Sequence, residues 1–347
     1  MNNTTIKNRK RFFEYFKYKW TTEPLFSTAI ALLIMIIVQT AILGFGYDSF
    51  GDWFISWLNN WINILRNNAG IGIMALGMTF VIISGGIDLS IGSTMVAIGA
   101  VIMMLIDSGP KGILANMGIK GVPSCIIAII IGLILGQVLG TIIGLLITKG
   151  NIPPFIATLG AMKIFRSVTQ QFMQGYNPKV PSIFLEIANI KIGKFMLMPI
   201  IYWMLIAYIF NFISKRTIFG RQVIAVGSNE KTARLSGVNV EKVKTLVYTI
   251  MGFLVTITAV IQVSRIGSMD FANAGSGNEM DAIAAVVVGG TSMSGGRGSI
   301  IGTVLGTLII AVMNNLLNLF GVPPFLREAF KGLIMVCAVL LQRKERA

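Results

Sequence analysis

Histidine is the side chain most used for proton transfer at neutral pH, and the 347 residues of this chain contain none. A Ser-His-Asp triad, a His-Glu zinc motif and a histidine proton relay are therefore excluded by composition. No Gly-x4-Gly-Lys-Ser/Thr run occurs, so ATP is not bound through a P-loop, and no set of metal ligands is spaced to form a site. Intramembrane proteolysis would need paired Asp or Ser groups, and nothing in the pattern places two together. The two cysteines, Cys125 and Cys337, fall inside apolar runs and read as small core residues with no disulfide implied.

What remains are polar residues inside apolar stretches. Lys163, Arg166, Gln170 and Gln174 recur every three or four positions and so share one helix face. A charge near the bilayer centre costs at least about 2.5 to 3.5 kcal/mol, so this face should line a wet cavity or meet a partner. Snorkelling to the headgroups suits Arg166, but Lys163 lies roughly two turns deeper. Asn314, Asn315 and Asn318 form a second polar face, for which hydrogen bonding between helices is an equally good account. A path lined by amides and neutral donors suits an uncharged, hydroxyl-rich solute. In "SGGIDLSIGS", from Ser84 to Ser93, Asp88 with Ser90 is placed to cap the helix that follows. Cation or proton coupling, in a self-contained secondary transporter, is the alternative role for Asp88 or Lys163.

The elements that hold these residues are membrane helices. Hydrophobic residues make up 54% of the chain, charged residues 12%, and the mean hydropathy is +0.76. A soluble domain carries roughly twice that share of charge. The apolar residues come in continuous runs, such as Leu25 to Gly46 and Val122 to Thr148, which excludes a β-barrel and predicts spanning helices. Spans are expected at Leu25 to Phe45, Ala69 to Ile83, Leu89 to Ile106, Val122 to Thr148 and Pro153 to Phe172. Five more are expected at Met196 to Ile213, Val243 to Arg265, Ala282 to Gly290, Ser299 to Leu319 and Phe325 to Leu341. The fold is thus an all-α integral membrane protein of about ten transmembrane helices. Residues 25–341 form one polytopic domain, between a basic segment, residues 1–24, and a short tail, residues 342–347. The first span is too long for a signal-peptide core and lacks a small-residue cleavage site, so it is read as uncleaved.

The formal charge of +15 gathers in three places: before residue 20, between residues 214 and 244, and after residue 342. The positive-inside rule puts all three in the cytoplasm, with both termini inside, and the lipid bilayer accounts for the charge better than nucleic acid. The same parity places Gly46 to Arg66 outside, where its tryptophans suit a separate interfacial helix.

The stretch at Ala282 is only about ten residues long before "GGTSMSGGRGS", too short to cross alone; such half-length helices mark transport pathways. "GQVLGTIIGLLI" at Gly136 matches "GTVLGTLIIAVM" at Gly302, and each is followed by a near copy, "NIPPFI" or "GVPPFL". By parity the two copies run in opposite directions, an inverted internal repeat. Glycines at 132, 136, 140 and 144, and at 298, 302 and 306, stack on single helix faces and read as packing surfaces. Between residues 224 and 244, Ser228 or Asn229 can cap a short helix that Gly237 ends, and Asn239 can cap the next span. A topogenic loop resting on anionic lipid is the plainer account of that segment.

Four ordered blocks give the chain a resemblance. They are "GMTFVIISGGIDLSIGS" at Gly77, containing Gly85, Gly86, Asp88 and Ser90; "PPFIATLGAMKIFRS" at Pro153; "FGRQVIAVGSNEKTARLSGVNVEKVK" at Phe219; and "DAIAAVVVGGTSMSGGRGSIIGTVLGTLI" at Asp281. Together they resemble the permease subunits of bacterial ABC importers for ribose, xylose and related sugars, from about Asn63 onward. The longer Trp-rich segment at Trp53 to Trp61 and the charged "LREAFKG" at Leu326 depart from the family pattern. The resemblance implies the importer permease fold in the bacterial cytoplasmic membrane, with a second permease copy or paralogue around a central path. It further implies an extracytoplasmic sugar-binding protein and a cytoplasmic ATPase that uses the ATP, this chain binding no cofactor itself. The loop 214–244 would then hold the coupling helix. Gly220 and Arg221 would shape its approach, Asn229 and Gly237 bound it, Glu230, Lys231 and Arg234 supply charged contacts, and Ala233 with Leu235 apolar ones. Nucleosides or other small solutes are the alternative cargo.

Overall fold

The computed structural model describes residues 24–44, 46, 48–323, 326–333 and 336. Among them the single β contact is a bridge between Ile192 and Phe195, and the elements are all helical. The basic segment before residue 24, Cys337 and the tail lie outside the described residues, and of the tenth expected span residues 326–333 are described and helical.

Helix α1 (Pro24–Leu43) is followed by α2 (Phe50–Ile83). Ser49 caps α2 by accepting the Asp52 N–H at 3.2 Å. The expected interfacial helix is not separate. No glycine or proline interrupts the chain between Trp53 and Ala69, so the Trp-rich turns run straight into the span and make one helix of 34 residues. At about 51 Å it is much longer than a hydrocarbon core of roughly 30 Å. Trp53, Trp57 and Trp61 stack along its first half, and the indoles of Trp53 and Trp57 donate to the Gly44 carbonyl and the Thr40 hydroxyl, both at 3.0 Å. From Ile71 onward α2 is buried on almost every side.

Then come α3 (Ile91–Ile106), the single turn α4 (Ile113–Asn116), α5 (Val122–Thr148), α6 (Pro154–Met173) and α7 (Ser182–Asn189). They are followed by α8 (Met198–Arg216), α9 (Ile218–Ser228), α10 (Glu230–Leu235), α11 (Val240–Ile266), α12 (Asn278–Val288) and α13 (Ile300–Leu319). Six of these helices are long and apolar enough to cross a membrane: α1, α2, α5, α8, α11 and α13. The expected count of ten is not reached by that measure among the described residues, for readable reasons. α3 has 16 residues, α12 has 11, and α6 carries Lys163 and Arg166.

Helix α11 is the centre of the packing, against α5, α2, α3 and α7. The glycine face of α5 makes the closest of these contacts. Gly136 meets Gly252 and Thr256, Gly140 meets the Tyr248 carbonyl, and Gly144 meets Thr245, with the Thr256 hydroxyl donating to the Gly132 carbonyl at 3.2 Å. Any side chain on that face would strike backbone, so the four-residue glycine spacing sets the distance between two helices. On α13, Gly302 and Gly306 do the same against Gly289 and Ala285.

Candidate functional site

Two short helices, α3 of 16 residues and α12 of 11, meet inside the molecule. The end of Met269 packs at Gly99, while the backbone of Gly275 touches that of Gly92, so residues 269–275 run antiparallel to α3 down to its first turn. Only glycines allow that second contact. From there α12 begins, its Asn278 amide 4.0 Å from the Met95 sulfur. At the start of α3, Asp88 is 3% exposed and accepts both the Ser90 N–H, at 2.8 Å, and the Ser90 hydroxyl, at 2.6 Å. It orders the turn before the helix, but the expected cap is not made: the Ser90 hydroxyl is spent on Asp88, and no side chain among the described residues accepts an N–H of the first turn of α3. Gly85 sits in that turn at φ +83°, and Gly86 packs against the Tyr248 hydroxyl.

Unwound backbone packed against the protein must find hydrogen-bond partners there. Here α6 supplies them. The Arg166 guanidinium donates to the carbonyls of Ala274, at 2.6 Å, and Phe271, at 3.5 Å, and the Gln170 amide donates to Ala272 at 3.4 Å. Asp270 accepts the Ala272 N–H at 3.0 Å and the Asn273 amide at 2.9 Å; the Asn273 amide, first, and the Ala272 N–H hold its carboxyl below the usual range. Lys163, on the same helix, is exposed. Beyond this contact opens a cavity of about 810 Å³, lined by Gln170, Gln174, Tyr176, Asn177, Ser268 and Asp270.

One wall of the cavity is fixed by a carboxylate that the sequence reading passed over. Asp107, just past α3, accepts the Tyr176 hydroxyl at 2.6 Å and the N–H groups of Gly109 and Lys179, both at 2.8 Å. Burial pushes its pKa up, but these donors and the Lys179 charge outweigh burial and hold it below the ordinary value. The Tyr176 phenol is driven up by burial and then by the same carboxylate, while Lys111 lies 5.5 Å from its ring.

The asparagines of α13 are elsewhere. Asn315 accepts the amide of buried Gln39 on α1 at 2.5 Å, and Asn318 is exposed. Helix α13 packs on α1, α2 and α12, whereas α6 packs on α3 and α5, so the structure does not join the two polar faces in one wall. A second feature not anticipated is a buried ion pair. Lys331 lies 3.0 Å from Asp281 on α12 and 2.9 Å from Glu328, with the Asp281 side chain 8% exposed. The charges of "LREAFKG" were the visible half of that pair.

At the opposite end of the molecule, where Lys149 ends α5, lies the segment 214–244. Thr217 caps α9 through the Gly220 N–H, 3.2 Å, and Gly220 packs on the carbonyls of Ile213 and Ser214. Asn229 caps α10 through the Thr232 N–H at 2.9 Å, Gly237 ends it at φ +82°, and Asn239 caps α11 through the Lys242 N–H at 2.9 Å. The segment thus holds two helices where one was expected, because Thr217 supplies a cap that the sequence reading did not weigh. Glu230 pairs with Lys244 at 2.6 Å, and Arg234 with Glu241 at 2.8 Å, pinning α10 to α11. Ala233 is 4% exposed and faces the protein's own core, whereas Leu235 is 89% exposed and offers the apolar contact. Lys231 is exposed, as is Arg221.

The far end of α9 is wedged into the junction of both broken segments. Gly227 touches the Ile83 carbonyl, which accepts the Gly296 N–H at 2.9 Å, and Gly296 in turn meets Ser228. Phe219 stacks on Phe80 of α2 at 5.9 Å, and Phe80 meets Phe210 of α8 at 5.7 Å. The end of α9 is thereby in direct contact with the last residues of α2 and with the loop between α12 and α13. Gly227 lay within the quoted motif, but only its neighbour across space shows why it is glycine.

Helices long enough to cross a membrane, a pair of short helices with satisfied unwound backbone, and a short charged helix at one end point to a multi-pass membrane transport permease. The comparisons agree. Residues 60–339 match the family model described as branched-chain amino acid transport system / permease component, and the chain belongs to that family. It is similar to the ribose import permease of Bacillus subtilis (strain 168), with 44% identity covering 83% of this chain and 86% of the relative. The ribose import permease of Escherichia coli (strain K12) is 36% identical over 100% of both chains. A xylose transport system permease of Haemophilus influenzae is 30% identical over 92% of this chain and 98% of its own. No solved structure matches.

Proposed function

We propose that this chain is the membrane subunit of an ATP-binding-cassette importer and forms the path for a monosaccharide, ribose or a similar pentose. It lies in the bacterial cytoplasmic membrane with its termini and the Lys149 end inside. An extracytoplasmic binding protein delivers the sugar, a second permease copy completes the path, and a cytoplasmic ATPase supplies the energy. This chain binds neither ATP nor another cofactor. Correspondence with a ribose import permease over the whole length of both chains carries the reading.

The geometry supports it in two places. The cavity at the Asp107 end combines amides, hydroxyls and one carboxylate with the apolar side chains of Met173, Met269 and Phe271, which suit the hydroxyls and the C–H faces of a neutral sugar. The family description names branched-chain amino acids, but a carboxylate solute would want a free cation there. The Arg166 guanidinium is already engaged by loop carbonyls and Asp270 adds negative charge. At the other end, α10 presents Leu235 and Lys231 on a support that the Glu230–Lys244 pair holds in place, the arrangement a coupling helix needs to seat in an ATPase cleft. ATP binding would move α9 and α10 together, and the wedge at Gly227 would pass that movement to both broken segments. The path itself alternates between two packings of the same chain.

A cell lacking this chain is expected to lose high-affinity uptake of labelled ribose or xylose and to regain it when the chain is restored. Unchanged uptake of every pentose, with loss of leucine uptake instead, would overturn the substrate assignment.

A further inference from the structure

Helices α5 and α11 leave a continuous groove on the surface of the membrane domain. Two cavities, about 690 and 400 Å³, share Thr249 and so join end to end. One end is aliphatic, with Ile134, Val138 and Ile142 on α5 all exposed. The other reaches Thr148, Lys149, Asn239 and Lys242 at the ends of the two helices. From residue 134 to residue 148 the groove is about 21 Å long at helical rise, somewhat more than one leaflet of a core of roughly 30 Å.

Its floor is polar yet needs nothing from an occupant. The hydroxyls of Thr141 and Thr249 bond each other at 2.7 Å, those of Thr148 and Thr245 at 3.1 Å, and the Gln137 amide donates to the Leu133 carbonyl at 3.2 Å. A hydrocarbon chain can therefore lie over these groups without stranding a donor. At the mouth Lys149 and Lys242 are exposed and enter no ion pair among the described residues, while the carboxylate lining the groove, Glu241, is engaged by Arg234 at 2.8 Å. The mouth is left cationic and the length aliphatic.

We propose that this groove binds an anionic phospholipid, its acyl chain against Ile134, Val138 and Ile142 and its phosphate between Lys149 and Lys242. The match is one of chemistry along a single axis: apolar where the bilayer is apolar, and positive where headgroups lie. Because Asn239 and Lys242 form the first turn after α10, the headgroup sits beside the short helix pair, and anionic lipid content becomes a setting on its mobility.

The test uses the full chain purified in mild detergent, with bound lipid read by native mass spectrometry. Phosphatidylglycerol and phosphatidylcholine of identical acyl chains are the probes. The wild-type chain is expected to favour phosphatidylglycerol by about tenfold or more, the size expected for two lysines facing one phosphate. Lys149→Gln with Lys242→Gln is expected to bring the preference to within about twofold without lowering the melting temperature, since both side chains are exposed. Val138→Trp, which fills the groove, should lower occupancy by both lipids. A preference that survives the double lysine change overturns the assignment. So does efficient disulfide cross-linking of Val138→Cys between two copies, which would make the groove a chain-to-chain interface.

Discussion

Gly227 is the residue whose role is most sharply fixed by a single contact. A methyl group there would run into the Ile83 carbonyl that the Gly296 N–H already uses. Relieving such overpacking costs about 1–3 kcal/mol, and because the strain falls on the contact between α9 and the end of α2, Gly227→Ala is expected to lower transport more than it lowers the amount of folded protein. Uptake measured beside the melting temperature checks this, and an Ala variant with unchanged uptake would remove the wedge from the account. Asp107 carries the second prediction. Its folded pKa is lowered, so the stability it contributes is fully present above the unfolded carboxylate value of about 3.9 and is lost as the pH falls from there through the lower, folded value. Asp107→Asn is expected to lower stability at neutral pH by about 1–3 kcal/mol, with the gap to wild type closing below about pH 4. Thermal melts across pH test it, and a gap independent of pH would contradict it. At this scale sequence reading found residues whose polarity was out of place in an apolar run, Arg166 and Asp88 among them. It could not find Asp107 or Gly227, because their significance lies in Tyr176 and Ile83, far away in the chain.

Elements were legible where a local signal ends or breaks a helix. The caps Asn229 and Asn239 and the stop at Gly237 are where the sequence reading put them, as is the brevity of α12. The glycine spacing of α5 told of close packing but not of its partner, α11. Two elements were misjudged for opposite reasons. Polar Arg66, Asn67 and Asn68 suggest a boundary, yet without glycine or proline α2 continues through them; α9 reads as loop in sequence because its cap, Thr217, stands among basic residues with no stronger start signal. The pairing of Asp281 with Lys331 was out of reach of any local pattern, since 50 residues separate them. It makes a prediction for α12. Lys331→Met leaves Asp281 buried and alone, expected to cost about 3–5 kcal/mol, whereas Asp281→Asn combined with Lys331→Met should recover much of that loss. Melting temperatures of the two variants decide it, and a double variant no better than the single would show that the charges act independently.

For the molecule as a whole, composition and run length were enough to read an all-helical membrane protein, because lipid leaves the backbone few alternatives. The number of spans was not so readable. Broken segments and a charged helix fall below any threshold of length and apolarity while still belonging to the membrane domain, as α3, α6 and α12 do. What joins the scales is a chain of contacts: a short helix pinned at one end, the glycine at 227, and two short helices whose unwound leads are held by Arg166, Gln170 and Asp88. Under the proposed function, energy enters at the short-helix end from a partner. Reconstitution into liposomes tests that claim most directly, with the binding protein and labelled ribose outside and the ATPase and ATP inside. The account predicts sugar accumulation that requires ATP, the ATPase and the binding protein together, and that is lowered in Gly227→Ala. Accumulation driven by an ion gradient through this chain alone, with no ATP present, would contradict it.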